Sequence, residues 1–216
     1  MDFSHIIHEI NLANIVFANH LFYDKIIQFI CIYNQKRKGV TCMGLYTIDI
    51  LNSKIEFNVR YLEFSKVNGH FTSFSGTIKA ANDNDILDYD IEVEIDVASI
   101  NTNETSRDQH LISADFFHAD LYPKIHFKKT NVEKIDATHF KLSGELQIKG
   151  IVKEVVFDVE VKYQNEEQSL LDATYYCTTI VNRTDFGLVY GSILENTPFF
   201  IAKEINIEAI FHIQAE

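Results

Sequence analysis

Hydrophobic residues in the segment 44–216 recur at every second position, not at every third or fourth. From Ile91 to Val97, for example, apolar residues alternate with acidic ones. The alternating segments are 55–59, 91–97, 140–148, 155–161 and 205–213. A period of two predicts β-strands with one dry face and one wet face, which is typical of antiparallel sheets.

Polar segments between these strands predict turns. Lys149-Gly150 predicts a tight hairpin between strands that end near Ile148 and start near Lys153, because Gly favours such a short turn. The Asn- and Asp-rich segment 82–85 and the polar segment 165–168 predict two further turns. No Pro- or Gly-rich linker divides the segment 44–216, so it is interpreted as one domain.

One longer segment departs from the period of two. Residues 105–117 fit helical spacing, with Thr105 as the N-cap and Asp108 as its capping-box partner, and a shorter turn is expected near 61–63. The pattern as a whole predicts about eight strands. Eight such strands form either a closed barrel or a two-sheet sandwich, and a barrel of this size holds side chains or one small ligand.

Residues 1–42 differ in composition from the rest of the chain. Half of them are Phe, Ile, Tyr, Asn or Lys, and few are acidic. The apolar stretch 26–33 is too short to span a bilayer and precedes the basic run 36–38, which reverses the order found in signal peptides. Apolar residues within 6–33 also fit a weak helix.

We hypothesise that Met43 is the true start of the protein. The codons for Lys38-Gly39-Val40 can form a purine-rich stretch that resembles a bacterial ribosome-binding site, and it lies shortly upstream of Met43. This hypothesis makes residues 1–42 a doubtful N-terminal leader and residues 43–216 the single β-barrel domain.

Charge and cysteine content exclude several classes of protein. The chain has 31 Asp and Glu residues against 19 Lys and Arg residues, whereas nucleic-acid binding needs clustered Lys and Arg. Cys31, Cys42 and Cys177 have the spacing of neither a disulfide framework nor a zinc site. We therefore expect no nucleic-acid partner, no metal and no integral membrane segment.

Several sequence blocks occur in a fixed order between residues 44 and 214. They are Tyr46–Asp49, Val67–Phe71, Ser75-Gly76, Ile100–Thr102, Arg107–Phe117, Tyr122–Phe127, Leu142–Lys153, Asn182–Gly187 and Glu204–Phe211. The ordered set resembles the YceI-like family, whose members are lipocalin-like β-barrels that bind lipids or polyisoprenoids. The resemblance implies an all-β, antiparallel, lipocalin-like barrel of about eight strands with one or two short helical segments.

The resemblance also implies a non-covalent function. A polyisoprenoid or similar amphiphilic lipid would lie in the barrel lumen, with no catalysis and no cofactor. The alternation supplies the lumen candidates, which are Phe57, Val59, Phe71, Ile91, Val93, Ile95, Ile125, Phe127, Leu142, Leu146, Phe157, Val159, Ile207, Ala209 and Phe211. The same side chains would equally fill a packed core, because alternation alone does not show a void.

Two polar residues of the helical segment are candidates for contact with a ligand head group. Arg107 would suit an anionic group, and His110 lies one helical turn away. In the alternative interpretation, Arg107 and Asp108 attach the segment to the barrel through structural hydrogen bonds. Arg183 and Asp185 are interpreted in the same way, as a brace at a corner of the barrel.

Other chemistry has little support in the sequence. His110, His118 and His126 recur every eight residues, which is wider than the usual spacing of metal ligands. Cys177 has no neighbouring His to activate it as a nucleophile. The acidic residues between Glu92 and Asp96 are expected on a solvated outer face.

Two other functions remain open at this point. A barrel enzyme of the isomerase or cyclase type would need an inward polar group, and a stress-related interaction protein would have a filled barrel. We expect a cytoplasmic protein because no credible signal peptide is present, and a periplasmic one if residues 1–42 prove to be an export signal. Whether the chain forms a homodimer is left open.

Overall fold

The computed structural model describes residues 44–61, 65–80, 89–163, 173–189 and 201–215, all within the compact unit formed by residues 43–216. The hypothesis about residues 1–42 and the turns expected at 82–85 and 165–168 fall outside these residues and stay predictions.

Strands dominate the described part of the chain. They are β1 (Gly44–Ile48), β2 (Lys54–Tyr61), β3 (Ser65–Phe71), β4 (Phe74–Ala80), β5 (Tyr89–Asp96), β6 (Ile100–Asn101), β7 (Lys124–Lys134), β8 (His139–Ile148), β9 (Ile151–Tyr163), β10 (Ala173–Asn182) and β11 (Ile201–Ala215). One α-helix, α1 (Thr105–Ile112), and two short 3-10 helices, Val97–Ser99 and Arg183–Phe186, complete the described elements.

These segments make a closed antiparallel barrel of eight strands. β1 and β2 form one strand that is interrupted by a bend, because both of them pair with β11. In the same way, β3 and β4 form one strand that pairs with β2 and β1, and β5 and β6 form one strand that pairs with β4 and β3. The barrel continues through β7, β8, β9, β10 and β11, and β11 pairs back onto β1 and β2. The prediction of about eight antiparallel strands is confirmed, and the sandwich alternative is excluded.

Hydrogen bonds join the second and third bends to each other and the first bend to β11. The amide of Thr72 donates to the carbonyl of Ser99 at 3.1 Å, and the hydroxyl of Ser73 donates to the Asp96 carboxylate at 2.6 Å. The amide of Asp49 donates to the carbonyl of His212 at 2.9 Å. The bends thus lie side by side, where they turn a long sheet so that it closes on itself.

The helix α1 lies at one end of the barrel, called here the helix end. The helix differs from the prediction in two respects. It stops before Ser113, which is extended with a ψ of 172°, and its N-cap is Glu104, whose carboxylate accepts from the second helical amide at 3.4 Å. Thr105 is not the cap, because the expected partner Asp108 instead accepts from the amide of Thr102 at 2.9 Å.

Two further connections lie at the helix end. The turn between β8 and β9 has φ values of 51° at Lys149 and 76° at Gly150, as a two-residue hairpin of the I′ type requires, which confirms the predicted hairpin. The 3-10 helix Arg183–Phe186 follows β10 and contacts β9. At the opposite end of the barrel, β1 begins, β11 ends and residues 135–138 connect β7 to β8.

Candidate functional site: an apolar cavity in the barrel

The barrel encloses a cavity of about 480 Å³. Its wall consists almost wholly of carbon atoms from inward-facing side chains of the strands, with additional residues from α1 and the 3-10 helix Arg183–Phe186. Pockets that hold small ligands typically measure about 300–1,000 Å³. The described part of the barrel is therefore hollow, which the alternation could not show.

The structure places every predicted lumen residue at the wall of this cavity. These are Phe57, Val59, Phe71, Ile91, Val93, Ile95, Ile125, Phe127, Leu142, Leu146, Phe157, Val159, Ile207, Ala209 and Phe211. The head-group candidates Arg107 and His110 also line it. That any of these residues contacts a ligand stays a prediction.

Tightly packed side chains close the cavity at the end opposite the helix. Tyr89 and Tyr175 line the cavity and are 3% and 5% exposed. Tyr46, Val161 and Ala173, which occupy inward positions at the same end, are at most 3% exposed and do not reach the cavity. We call this end the closed end, and the layer formed by these five residues the floor.

Wall residues away from the floor have a different environment. Phe57, Leu142 and Ile207 lie on strands with a paired strand on both sides, yet these inward side chains are only half buried. Because flanking strands cover their edges, their remaining accessible surface faces the cavity. Ile95 and Ile205, which are also half-buried wall residues, extend this unfilled region towards the helix end.

Two inward-facing glycines set the position of aromatic rings in the wall. A Cβ on Gly69 would lie 2.3 Å from the ring of Phe57, and one on Gly144 would lie 2.4 Å from the ring of Phe127. Each ring therefore covers a glycine on the adjacent strand, an approach that a larger residue would prevent. The rings therefore occupy the space left by the missing glycine side chains, and they are not pushed into the lumen.

Polar groups of the wall cluster beside α1. Arg107 donates from Nε to the hydroxyl of Thr102 and from Nη2 to its carbonyl, both at 2.8 Å. The Thr102 hydroxyl donates in turn to Asp108 at 2.5 Å. These bonds agree with the structural interpretation of Arg107 and Asp108, and they also hold one guanidinium at the cavity. His110 lies beside it, with Nε2 at 3.4 Å from a carboxylate oxygen of Asp115.

Arg183 forms a second polar group in the wall. It is 4% exposed and donates to the carbonyls of Ala202 at 3.0 Å, Ile201 at 3.3 Å and Leu188. These bonds tie the segment after β10 to the start of β11, which agrees with the interpretation of Arg183 as a brace. Asp185, proposed as the other half of the brace, is exposed.

Cys177 lies in the wall between two apolar neighbours. It is the cross-strand partner of Val159 and Ala209, and burial raises the pKa of its thiol to about 12. A thiol with so high a pKa is protonated at neutral pH and is a poor nucleophile. This environment agrees with the interpretation of Cys177 as a structural residue.

The cavity wall contains more residues than the predicted lumen set. Further wall residues are Ile48, Ile55, Glu56, Val67, Ile78, Tyr89, Ile100, Thr102, Leu111, Phe116, Phe117, Val132, Phe140, Ile148, Tyr175, Cys177, Val181, Arg183, Phe186, Leu188, Ile201, Ile205 and Ile213. The alternation already contained a signal for several of them, such as Ile55 and Ile205. The two tyrosines were missed because tyrosine is as common on an outer face as on an inner one.

The predicted acidic outer face is paired with basic side chains of the neighbouring strand. Lys128 lies 2.8 Å from Glu92, His126 lies 3.3 Å from Glu94, and Lys124 lies 2.9 Å from Asp96. The hydrogen bond from Lys128 holds the pKa of Glu92 below its ordinary value. The ladder is a solvated cross-strand charge pattern and contains no pair of carboxylates suited to acid–base catalysis.

Among the residues that the structure describes, no group of three or more His, Cys, Asp or Glu side chains is arranged to hold a metal ion. Within the same residues, no helix is both long and apolar enough to cross a bilayer.

The fold and the cavity together define a class of protein, the closed antiparallel barrel with an internal apolar pocket. The family profile of the YceI-like domain matches residues 46–213, so the chain belongs to the YceI-like family. A UPF0312 protein of Staphylococcus aureus is 33% identical over 171 residues, which cover 77% of this chain and 95% of that protein. The family expected from the sequence blocks is therefore confirmed.

Solved structures share the same fold. BcnA of Burkholderia cenocepacia superimposes with a TM-score of 0.67 at 21% identity, over 78% of this chain and 99% of that one. The YCEI protein of Campylobacter jejuni gives a TM-score of 0.59 at 27% identity, over 73% and 89%. A polyisoprenoid binding domain from Saccharophagus degradans, implicated in plant cell wall breakdown, gives a TM-score of 0.60 at 14% identity, over 79% and 98%.

Proposed function

We propose that this protein binds a polyisoprenoid or similar amphiphilic lipid non-covalently in its barrel cavity. The observation that carries the proposal is the cavity of about 480 Å³ with an almost wholly apolar wall. Each ligand methylene transferred from water to such a wall contributes about 0.8 kcal/mol, which is partly offset by the cost of ordering the chain. Polar ligands would leave their hydrogen-bonding groups unsatisfied there.

The distribution of polar groups suggests an orientation for the ligand. Arg107 and His110 line the cavity beside α1, whereas the floor at the opposite end is built from packed, inward side chains. A hydrocarbon tail would therefore point towards Tyr89 and Tyr175, and the polar end would lie near the helix end. The Nη1 group of Arg107 has no hydrogen bond among the described residues and is free to meet an anionic or carbonyl oxygen.

We further propose that binding is not accompanied by catalysis. The wall offers a thiol whose raised pKa keeps it protonated and an Arg183 side chain committed to backbone carbonyls. Neither group is arranged as an activated nucleophile with a base. The similar barrel from Saccharophagus degradans is described as a polyisoprenoid binding domain, which supports a binding function for this one.

Organic extraction of the purified protein, followed by mass spectrometry of the extract, tests the proposal. We expect a long-chain lipid in stoichiometric amount. The test variant is Leu142→Trp, which places a larger ring at a half-buried wall position, and the control is Ile180→Trp on the outer face, where Ile180 is 63% exposed. The wild type and the control should carry the lipid, and the test variant should lose most of it.

Two results would contradict the proposal. One is an extract without lipid, together with no binding of any added isoprenoid or fatty acid. The other is equal lipid content in both tryptophan variants, since the lipid would then lie outside the barrel.

The site of action is a separate proposal. We propose that the protein acts in the cytoplasm, as the sequence around residues 26–38 led us to expect. Fractionation of cells with an antibody against the barrel tests this, and recovery of the protein with periplasmic or extracellular markers contradicts it.

A further inference from the structure

We propose that the cavity accepts one hydrocarbon chain of roughly 15 to 20 carbon atoms, that is, three or four isoprene units, and that the floor sets this limit. The inference rests on the proposed function and adds to it the length and the number of the chains.

The volume of the cavity gives the length. An apolar cavity of about 150 Å³ accommodates benzene, which corresponds to roughly 25 Å³ for each carbon atom, and a water-sized group takes about 30 Å³. On this scale the cavity of about 480 Å³ holds roughly 16 to 19 carbon atoms. A lipid with two chains of ordinary length would need about twice that volume, so the cavity fits a single chain.

The floor shows why the chain cannot extend further at the closed end. Val161 and Ala173 are each 1% exposed, and Tyr46 is 3% exposed, so the layer has no unfilled space. Val161 is the direct cross-strand partner of Tyr175, which is the part of the floor that faces the cavity. Displacing these side chains would disturb a packed core, and this cost offsets much of what one further isoprene unit contributes.

The side wall gives no second route. Gly69 and Gly144 already let the rings of Phe57 and Phe127 lie against the wall, so these rings have no further space into which to withdraw. A chain longer than the cavity would leave its additional carbons at the helix end, in or near water, where they contribute little to affinity.

A homologous series of isoprenoid alcohols with two, three, four, six and eight isoprene units tests the length limit. Dissociation constants are measured by displacement of a fluorescent fatty acid, with each alcohol delivered from cyclodextrin. We expect at least a tenfold gain in affinity from two to three units and less than a threefold change from four to eight. Affinity that continues to rise tenfold or more with each addition beyond four units overturns the inference.

A variant of the floor tests the mechanism of the limit. Tyr175→Ala removes a ring and a hydroxyl, about as many heavy atoms as one isoprene unit contains, so the plateau should move from four units to five or more. Ile180→Ala, at an exposed position of the same strand, should leave the plateau unchanged. An unchanged plateau in a folded Tyr175→Ala protein overturns the role of the floor.

A second variant covers the case in which Tyr175→Ala does not fold. Leu142→Trp fills part of the cavity and should shorten the preferred chain by about one unit, and an unchanged preference counts against the inference. Failure of every chain length to bind to the wild type contradicts the proposed function itself. Binding without a length limit contradicts the inference alone.

Discussion

The closed end and the helix end of this barrel are built from the same alternating strands, yet they are held together differently. At the closed end, inward residues such as Phe140 and Val161 are buried to more than 95% and belong to the hydrophobic core, although Phe140 also reaches the cavity wall. Towards the helix end, inward residues such as Leu142 face an open cavity, and Arg107 and Arg183 provide hydrogen bonds to backbone carbonyls.

The difference shows how one strand can contribute to both stability and binding. Phe140 and Leu142 are neighbours on the inner face of β8, and only the first belongs to the packed core. Filling the whole barrel would give more stability and no pocket. We infer that the closed end supplies the stability that permits the rest of the lumen to stay unfilled.

The largest expected effect compares these two neighbours. Phe140→Ala should lower the free energy of unfolding by about 3–5 kcal/mol, because it opens a void in a packed layer. Leu142→Ala should cost about 1–2 kcal/mol, because its side chain is only half buried and loses fewer contacts than that of Phe140. Urea unfolding of both variants measures the difference, and equal costs would mean that the two ends do not differ in packing.

A second variant tests how polar contacts hold the helix end. Arg183→Met keeps much of the side-chain volume but removes the hydrogen bonds to the carbonyls of Ala202 and Ile201. We expect a loss of about 2–4 kcal/mol in unfolding free energy, since these buried carbonyls lose their charged donor. Urea denaturation provides the measurement. A loss below about 0.5 kcal/mol would show that the brace contributes nothing to stability.

A third variant loosens α1 alone. Thr102→Val has a similar shape but lacks the hydroxyl that accepts from Nε of Arg107 and donates to Asp108. Its backbone carbonyl and amide keep their bonds to Arg107 and Asp108. We expect a loss of about 1–2 kcal/mol and faster amide hydrogen exchange in α1, with unchanged exchange in β9 and β10 near the floor. Uniformly faster amide hydrogen exchange throughout the barrel would show that the helix end and the closed end unfold together.

The smallest expected effect lies in the turn at the closed end. Asp136 accepts hydrogen bonds from the amides of Thr138 and His139 at 2.8 and 2.9 Å, and the Thr138 amide is the main cause that lowers its pKa to about 2. A lowered pKa in the folded state means that the ionised carboxylate stabilises the fold. This stabilisation is complete above the ordinary pKa of 3.8 and is lost as the pH falls through about 2.

The variant Asp136→Asn tests this pH dependence. The wild type should have the higher urea midpoint at pH 6, and the gap between the two proteins should narrow as the pH falls from 4 to 2. A gap that stays constant over this range would assign the effect of the substitution to something other than the charge of Asp136.

Much of the barrel could be predicted from the sequence because a period of two fixes which face a residue occupies. The inward positions from Phe57 to Phe211 and the turn at Lys149-Gly150 follow from local patterns alone. The bends at residues 49–53 and 72–73 were not predicted, because they depend on hydrogen bonds between distant segments. One example is the bond from Thr72 to Ser99.

The cavity itself could not be predicted. The ring of an inward phenylalanine either fills the lumen or lies against the wall, and the size of the facing residue on the adjacent strand determines which. Because Gly144 has no side chain, the ring of Phe127 lies against the wall. The polar contacts of α1 were also only partly predictable. Arg107 and Asp108 were expected to anchor the helix. Thr102, which binds both of them, was noted only as part of the block Ile100–Thr102 and not as their partner.

The closure of the barrel also has a consequence for circular permutation. Tyr46 on the first strand pairs directly with Ala215 on the last, and the start of β1 and the end of β11 both lie at the closed end. A short linker between these ends would form one more hairpin of an up-and-down barrel, and new termini could be made at the exposed turn residue Gly150. The order of strands around the cavity would then be unchanged, although the polypeptide would start and finish beside α1.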